Sequence, residues 1–352
     1  MFTSKAGHDP KRFAPLALAN MTGGNRLLIG VGWSLVVLLA AWKIRRTAAT
    51  AGYTGEVDTG IALDRAHSIE IAFLIVATLY SLTLPLKRTL TLVDAAVLII
   101  LFVLYLVRIT RAPSEEPDLV GPALAIGQLP TRPRRIALAV TLSFAAAVIF
   151  ACAEPFADAL VHTGERFGIS TFVLVQWLAP LASESPELVV AGVFAWRLNT
   201  NGALGALVSS KVNQWTLLVG SLPLAYLLGG GGTTLVLDPR QIEEMLLTAT
   251  QTLMGVAVIL ALRFHRWSAW ALLALFVIQF PITSTTGRLI LCGAYAVIAL
   301  GALVVNRGHL LPTLTAPFIR RDLRRHSRTD RDAATVPPNL GIDGGSAPVK
   351  RT

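Results

Sequence analysis

Runs of apolar residues long enough to cross a bilayer recur along this sequence, and they leave it few architectures. About 18 or more helical residues span a hydrocarbon core, and within that core each segment must satisfy its own backbone amides. Nine stretches are read as spans, near residues 16–42, 67–86, 90–107, 136–153, 167–196, 202–228, 243–262, the shorter 267–282, and 288–305. The expectation is an all-α, polytopic membrane helix bundle of about nine spans. Hydrophobic residues make up 53% of the chain and charged ones only 15%, which excludes a soluble enzyme. There is no His/Cys metal cluster, nucleophile elbow or nucleotide loop, so no enzyme and no cofactor is expected.

The net charge of +10 is unevenly placed. Lys43–Arg46, Arg132–Arg135, Arg197, Arg263–Arg266 and the tail after Asn306 carry much of it. Basic loops beside spans mark the cytoplasmic side. With nine alternating spans all of these fall on that side, and only the short Lys87-Arg88 turn falls opposite. The charge is therefore read as topology, with no nucleic acid partner. It predicts a plasma (inner) membrane protein with an external N-terminus and a cytoplasmic C-terminus. Residues 1–15 read as a flexible segment, 112–135 as a basic cytoplasmic loop, and 306–352 as a disordered basic tail.

One span is unusual. Phe167–Trp196 contains L-A-P-L-A-S-E-S-P-E-L at Leu178–Leu188, with two prolines, two serines and two carboxylates. Carboxylates at membrane depth are costly unless they meet a cation, a proton or a basic partner. Pro180 and Pro186 are expected to break the helix and free carbonyls as further ligands. Glu184 and Glu187 lie near mid-span, and Lys211 and Asn213 lie at similar depth on the next span. Ser183, Ser185, Glu184, Glu187 and Asn213 offer hard oxygens of the kind that suit Na⁺, Ca²⁺ or Mg²⁺. Lys211 is read as an internal counter-ion that replaces one bound cation. The plainer alternative is a Glu–Lys pair locking two helices together. Glu70 and Asp94 read as interfacial or helix-end charges.

A second polar stretch looks like a partner to this site. Met21–Gly32, which includes Thr22 and Asn25, resembles Ser210–Gly220, which includes Asn213. The first span runs outside to inside and the sixth inside to outside, so the pair forms an inverted repeat. Thr22 and Ser210 join the candidate ligands on this ground.

Ala182–Leu188 resembles the G-T-S-x-P-E-L signature of the sodium/calcium exchanger (cation/Ca²⁺ antiporter) superfamily. Ala19–Asn25 resembles its G-N-x-x-G-S-N signature. The resemblance implies an inverted-repeat exchanger fold, with the remainder of one repeat at 16–111 and a second at 136–305. It implies that Glu187 is the ion-binding glutamate. Ser183 stands at the signature threonine, Glu184 replaces the signature serine, and Asn20, Asn25 and Asn213 stand at signature asparagines. Lys211 stands where the family has glycine, and Arg26 follows Asn25. No S-x-P-E helix precedes residue 16, so the first repeat is expected to be incomplete, through truncation or through divergence to a half site.

The function expected is a secondary active cation antiporter, coupled to Na⁺ or H⁺, whose ligands are transported cations. The alternative is a non-transporting or regulatory membrane protein retaining the fold. Membrane lipid and small inorganic cations are the expected partners, and assembly into oligomers stays open.

Overall fold

Residues 9–53, 58–111 and 121–318 are described by the computed structural model. Apolar composition imposes helix almost throughout. The long helices are α1 (Phe13–Thr50), α2 (Arg65–Lys87), α3 (Leu92–Ile109), α4 (Thr131–Phe167) and α5 (Thr171–Trp196). They continue as α6 (200–228), α7 (Pro239–Ile259), α8 (Arg266–Ile278), α9 (Thr285–Val305) and α10 (Arg307–Thr315). Seven of these, α1 to α5 with α7 and α9, are long and apolar enough to cross a membrane. The other two expected spans are α6, which carries Lys211, Asn213 and Gln214, and α8, which is only 13 residues long.

The two ends of the bundle are tied by short antiparallel pairs. Strand β1 (Ile61–Ala62) pairs with β4 (Arg263–Phe264), and β2 (Thr89–Thr91) pairs with β3 (Thr234–Val236). Asp64 and Asn201 bond across the first of these ends, and Arg288 meets Glu243 at the second. These ties join the loops that strict alternation places on the same side. The basic groups Lys43, Arg197 and Arg263 accordingly share one end of the bundle.

Trp33, Val36, Trp215, Met245 and Tyr295 belong to one core between α1, α2, α6, α7 and α9. Trp215 donates its indole N–H to Thr252 Oγ1 at 2.9 Å, which makes burial of the ring affordable. Helix α4 joins the buried residues at its far end, where Leu160 and Val161 meet Leu16, Ala19 and Val175. Residues 132–136 and 138–150 of α4 are exposed apolar and basic surface.

Several expectations need correction. The helix carrying Glu184 and Glu187 is not broken at Pro186: Ala179–Trp196 is a single α-helix. Pro186 has no amide to return to Ala182, but Ser185 Oγ donates to the Ala182 carbonyl at 2.9 Å and takes its place. Pro180 lies inside α5, just after a π-helical turn at Leu174–Leu178, and the helix runs on through it. The residues expected as a loose tail begin as helix α10, because Leu310 and Leu314, one turn apart, pack against the core. The expected N-terminal segment is helical from Pro10, with Phe13 and Ala14 packed inward. The expected loop 112–135 contains a short helix, Pro122–Gly127, and the start of α4. The rest of these segments, residues 1–8, 112–120 and 319–352, lies outside the described residues.

Gly23 fixes how closely α1 and α5 approach. A Cβ built there would lie 1.7 Å from the Gln176 carbonyl oxygen, a backbone atom that cannot swing away. Gly23→Ala is expected to cost about 1–3 kcal/mol or more by overpacking, read as a lowered unfolding temperature in detergent. Gly192→Ala, at a position with nothing within 4 Å, should leave it unchanged.

Candidate functional site

Three helices converge at mid-length, and each carries a π-helical turn near the contact: Leu28–Trp33 in α1, Leu174–Leu178 in α5 and Gln214–Leu218 in α6. A π-helical turn shifts the phase of the side chains beyond it. In α1 the turn follows Asn25, and in α6 it follows Asn213, so the two stretches paired by sequence share a local distortion.

On α5, Glu187 Oε2 accepts a hydrogen bond from Ser210 Oγ of α6 at 2.7 Å. One turn away, Glu184 Oε2 accepts from Gln214 Nε2 at 3.0 Å. Glu184 and Glu187 stand one turn apart on the same helix, so their carboxylates lie in each other's field. Two such carboxylates share a proton or hold a cation between them. Glu184 also faces α1, where a Cβ built on Gly24 would lie 3.4 Å from its Oε1.

Lys211 is fully buried, and its ammonium donates to the Asn25 carbonyl oxygen at 2.6 Å and to Asn25 Oδ1 at 2.7 Å. Asn25 Nδ2 donates to Met21 O at 3.0 Å, which fixes the amide so that its oxygen faces the lysine. The expected ligand oxygen of Asn25 is therefore engaged by a cation that belongs to the chain. Lys211 also lies in the electrostatic field of Glu184.

The other expected ligands divide. Ser210 and Glu187 are joined, and Ser183 and Glu187 are exposed on the outer face of α5. Ser185 is half-buried and spends its hydroxyl proton on Ala182 O. Asn213 is exposed and makes no side-chain hydrogen bond among the described residues. Thr22 is buried and donates back to Leu18 O at 2.9 Å. Asn20 is half-buried on α1.

Sequence reasoning missed Gln214, although it sits inside the polar stretch that marked Ser210 and Asn213. It also missed a buried network behind the site. Arg26 Nη2 meets Glu244 Oε2 at 2.5 Å, and its Nη1 donates to Gln279 Oε1 at 3.0 Å. The Arg26 guanidinium lies 4.8 Å from the Trp177 ring centroid. Glu244 in turn meets Arg240 at 3.0 Å and Arg288 at 3.5 Å. The signal was present: Arg26, Glu243, Glu244 and Arg288 are charges inside apolar segments, where they require partners. Asp94, by contrast, is the helix-end charge expected, closing a capping box with Thr91 at the start of α3.

Removing one member of a buried ion pair leaves the other uncompensated, at about 3–5 kcal/mol. Glu244→Gln is expected to lower the unfolding temperature sharply. Arg26→Met combined with Glu244→Met should recover part of that loss in the same assay.

A family model described as sodium/calcium exchanger protein matches residues 5–111 and 137–283. The crystal structure of an H⁺/Ca²⁺ exchanger, CAX, is similar with a TM-score of 0.82 at 39% sequence identity, covering 90% of this chain and 78% of that one. The sodium-calcium exchanger NCX_Mj soaked with 10 mM Na⁺ and zero Ca²⁺ gives a TM-score of 0.52 at 20% identity, covering 80% and 81%. At that identity the likeness is one of fold alone. No curated protein is matched.

Proposed function

We propose that this chain, which belongs to the sodium/calcium exchanger protein family, is a secondary active antiporter that exchanges Ca²⁺ for protons across its membrane. The chain is an integral membrane protein, and the solved structures it resembles are exchangers by name. The observation that carries the reading is the Glu184–Glu187 pair, two carboxylates one helical turn apart, each bonded to a polar side chain of α6. Such a pair takes either Ca²⁺ or protons, and that exclusivity is the chemical basis of exchange. The 39% identity to an H⁺/Ca²⁺ exchanger favours protons over Na⁺ as the counter-ion.

In this reading Glu187 and Glu184 are the charged ligands, near the bilayer midplane. Ser210 and Gln214 orient them from α6. Ser183 and Asn213, both exposed, and the half-buried Ser185 add neutral oxygens, with Asn20 and Thr22 on α1 as further candidates. Lys211 is the internal counter-ion. By holding both Asn25 oxygens it occupies a cation position permanently and offsets one carboxylate charge. Full neutralisation of the pair then needs fewer mobile charges, which suits proton coupling. Each half-cycle exposes the occupied pair to one side, and α1, α5 and α6 move as the elements that carry it. The basic end faces the cytoplasm of a plasma (inner) membrane.

A second reading is a regulatory membrane protein that keeps the fold without transporting. The engagement of Asn25 by Lys211 favours it, since one expected ligand is withdrawn.

Flux separates the two. In proteoliposomes of the purified chain, an imposed proton gradient is expected to drive Ca²⁺ uptake. Glu187→Gln should reduce that uptake at least about tenfold. Equal uptake by the variant would refute the carboxylate assignment, and wild-type uptake equal to that of empty liposomes would favour the regulatory reading.

A further inference from the structure

At the basic end, away from the carboxylates, the structure has an open pocket of about 770 Å³. Its lining includes Arg45 and Tyr53 from the end of α1 and just beyond it, Asp58 from the following loop, and Arg263, Arg266 and Trp267 at the turn into α8. Three guanidinium groups therefore face one carboxylate. Asp58 is already paired with Arg263. Among the described residues, Arg45 and Arg266 make no ion pair.

The local chemistry breaks two rules at this place. Arg266 is the first residue of α8, where the helix dipole favours an anion over a cation. His265, in the capping position before it, makes no side-chain capping bond, so the first-turn amides have no side-chain acceptor from that position. Like charges gathered with uncapped amides are stabilised together by one incoming anion. Trp267 is 63% exposed and Tyr53 is 42% exposed on the rim. Rings of this kind settle at headgroup level.

We infer that this pocket binds a phosphate-bearing anion, held by Arg45, Arg266 and the first-turn amides of α8. The aromatic rim points to the headgroup of an acidic phospholipid as its source, since basic pockets beside membrane helices take such headgroups. Free phosphate has the same chemistry and is the other source. The inference does not depend on the transported ion.

The full chain is reconstituted in nanodiscs of phosphatidylcholine alone or mixed with phosphatidylglycerol, and retained lipid is counted by native mass spectrometry after release into detergent. Inorganic phosphate is titrated separately onto the chain in phosphatidylcholine nanodiscs, and the unfolding temperature is followed. Wild type is expected to retain phosphatidylglycerol over phosphatidylcholine. The Arg45→Gln/Arg266→Gln variant should lose that preference by about tenfold or more. Arg45 is exposed and Arg266 half-buried, and an unchanged unfolding temperature without anion checks that the variant folds. Arg134→Gln/Arg135→Gln, basic surface outside the pocket, should keep the preference. Stabilisation by phosphate that depends on Arg45 and Arg266, with no lipid preference, would support the pocket and assign free phosphate as its ligand. The inference is overturned if wild type responds to neither probe, if the pocket variant matches wild type, or if the Arg134/Arg135 variant loses as much.

Discussion

The ammonium of Lys211, seated on both oxygens of Asn25, is the contact on which the rest of the site depends. A buried cation without acceptors is far too costly to keep. Two acceptors on α1 and the nearby Glu184 carboxylate meet that cost, and in doing so they lock α6 against α1. Glu184 can then face inward, toward Gly24 and Gln214, while Glu187 remains on the open side with Ser210. The acidic pair therefore spans an inside and an outside. Glu184 is half-buried against Gln214, and Glu187 is exposed beside Ser210.

The helices tolerate this polarity because several of their irregularities are satisfied locally. Ser185 takes over the carbonyl that Pro186 leaves without an amide. Glycine at position 23 lets α1 approach the backbone of α5 at Gln176, which no larger residue would permit. Behind them, Arg26, Glu244, Arg288 and Gln279 form a buried polar network that joins α1 to α7, α9 and the end of α8.

Much of this was legible in the sequence. Apolar run length gave the helical class, and basic loops gave the pairing of ends that the short strands and the Asp64–Asn201 contact display. The motif around Glu184 and Glu187 located the acidic helix, and the likeness between the Asn25 and Asn213 stretches located its neighbours. What was not legible depended on rotation about the helix axis. Proline at 186 predicted a break, but a serine one position earlier can repair the same carbonyl, and only geometry shows that it does. Lys211 lies in the field of Glu184, as a counter-ion should, but its hydrogen bonds go to Asn25 on another helix, a partner that spacing within one segment does not reveal. The helical start of the tail was hidden by its charge, since Leu310 and Leu314 are few but lie on one face.

The central claim is that the Glu184–Glu187 pair holds either protons or Ca²⁺, with Lys211 as a fixed charge beside it. Protons released on Ca²⁺ addition to the purified chain, in weakly buffered detergent solution, test it most directly. The account requires acidification that saturates with Ca²⁺ binding and disappears in a Glu184→Gln/Glu187→Gln variant. Saturable Ca²⁺ binding with no proton release would contradict it.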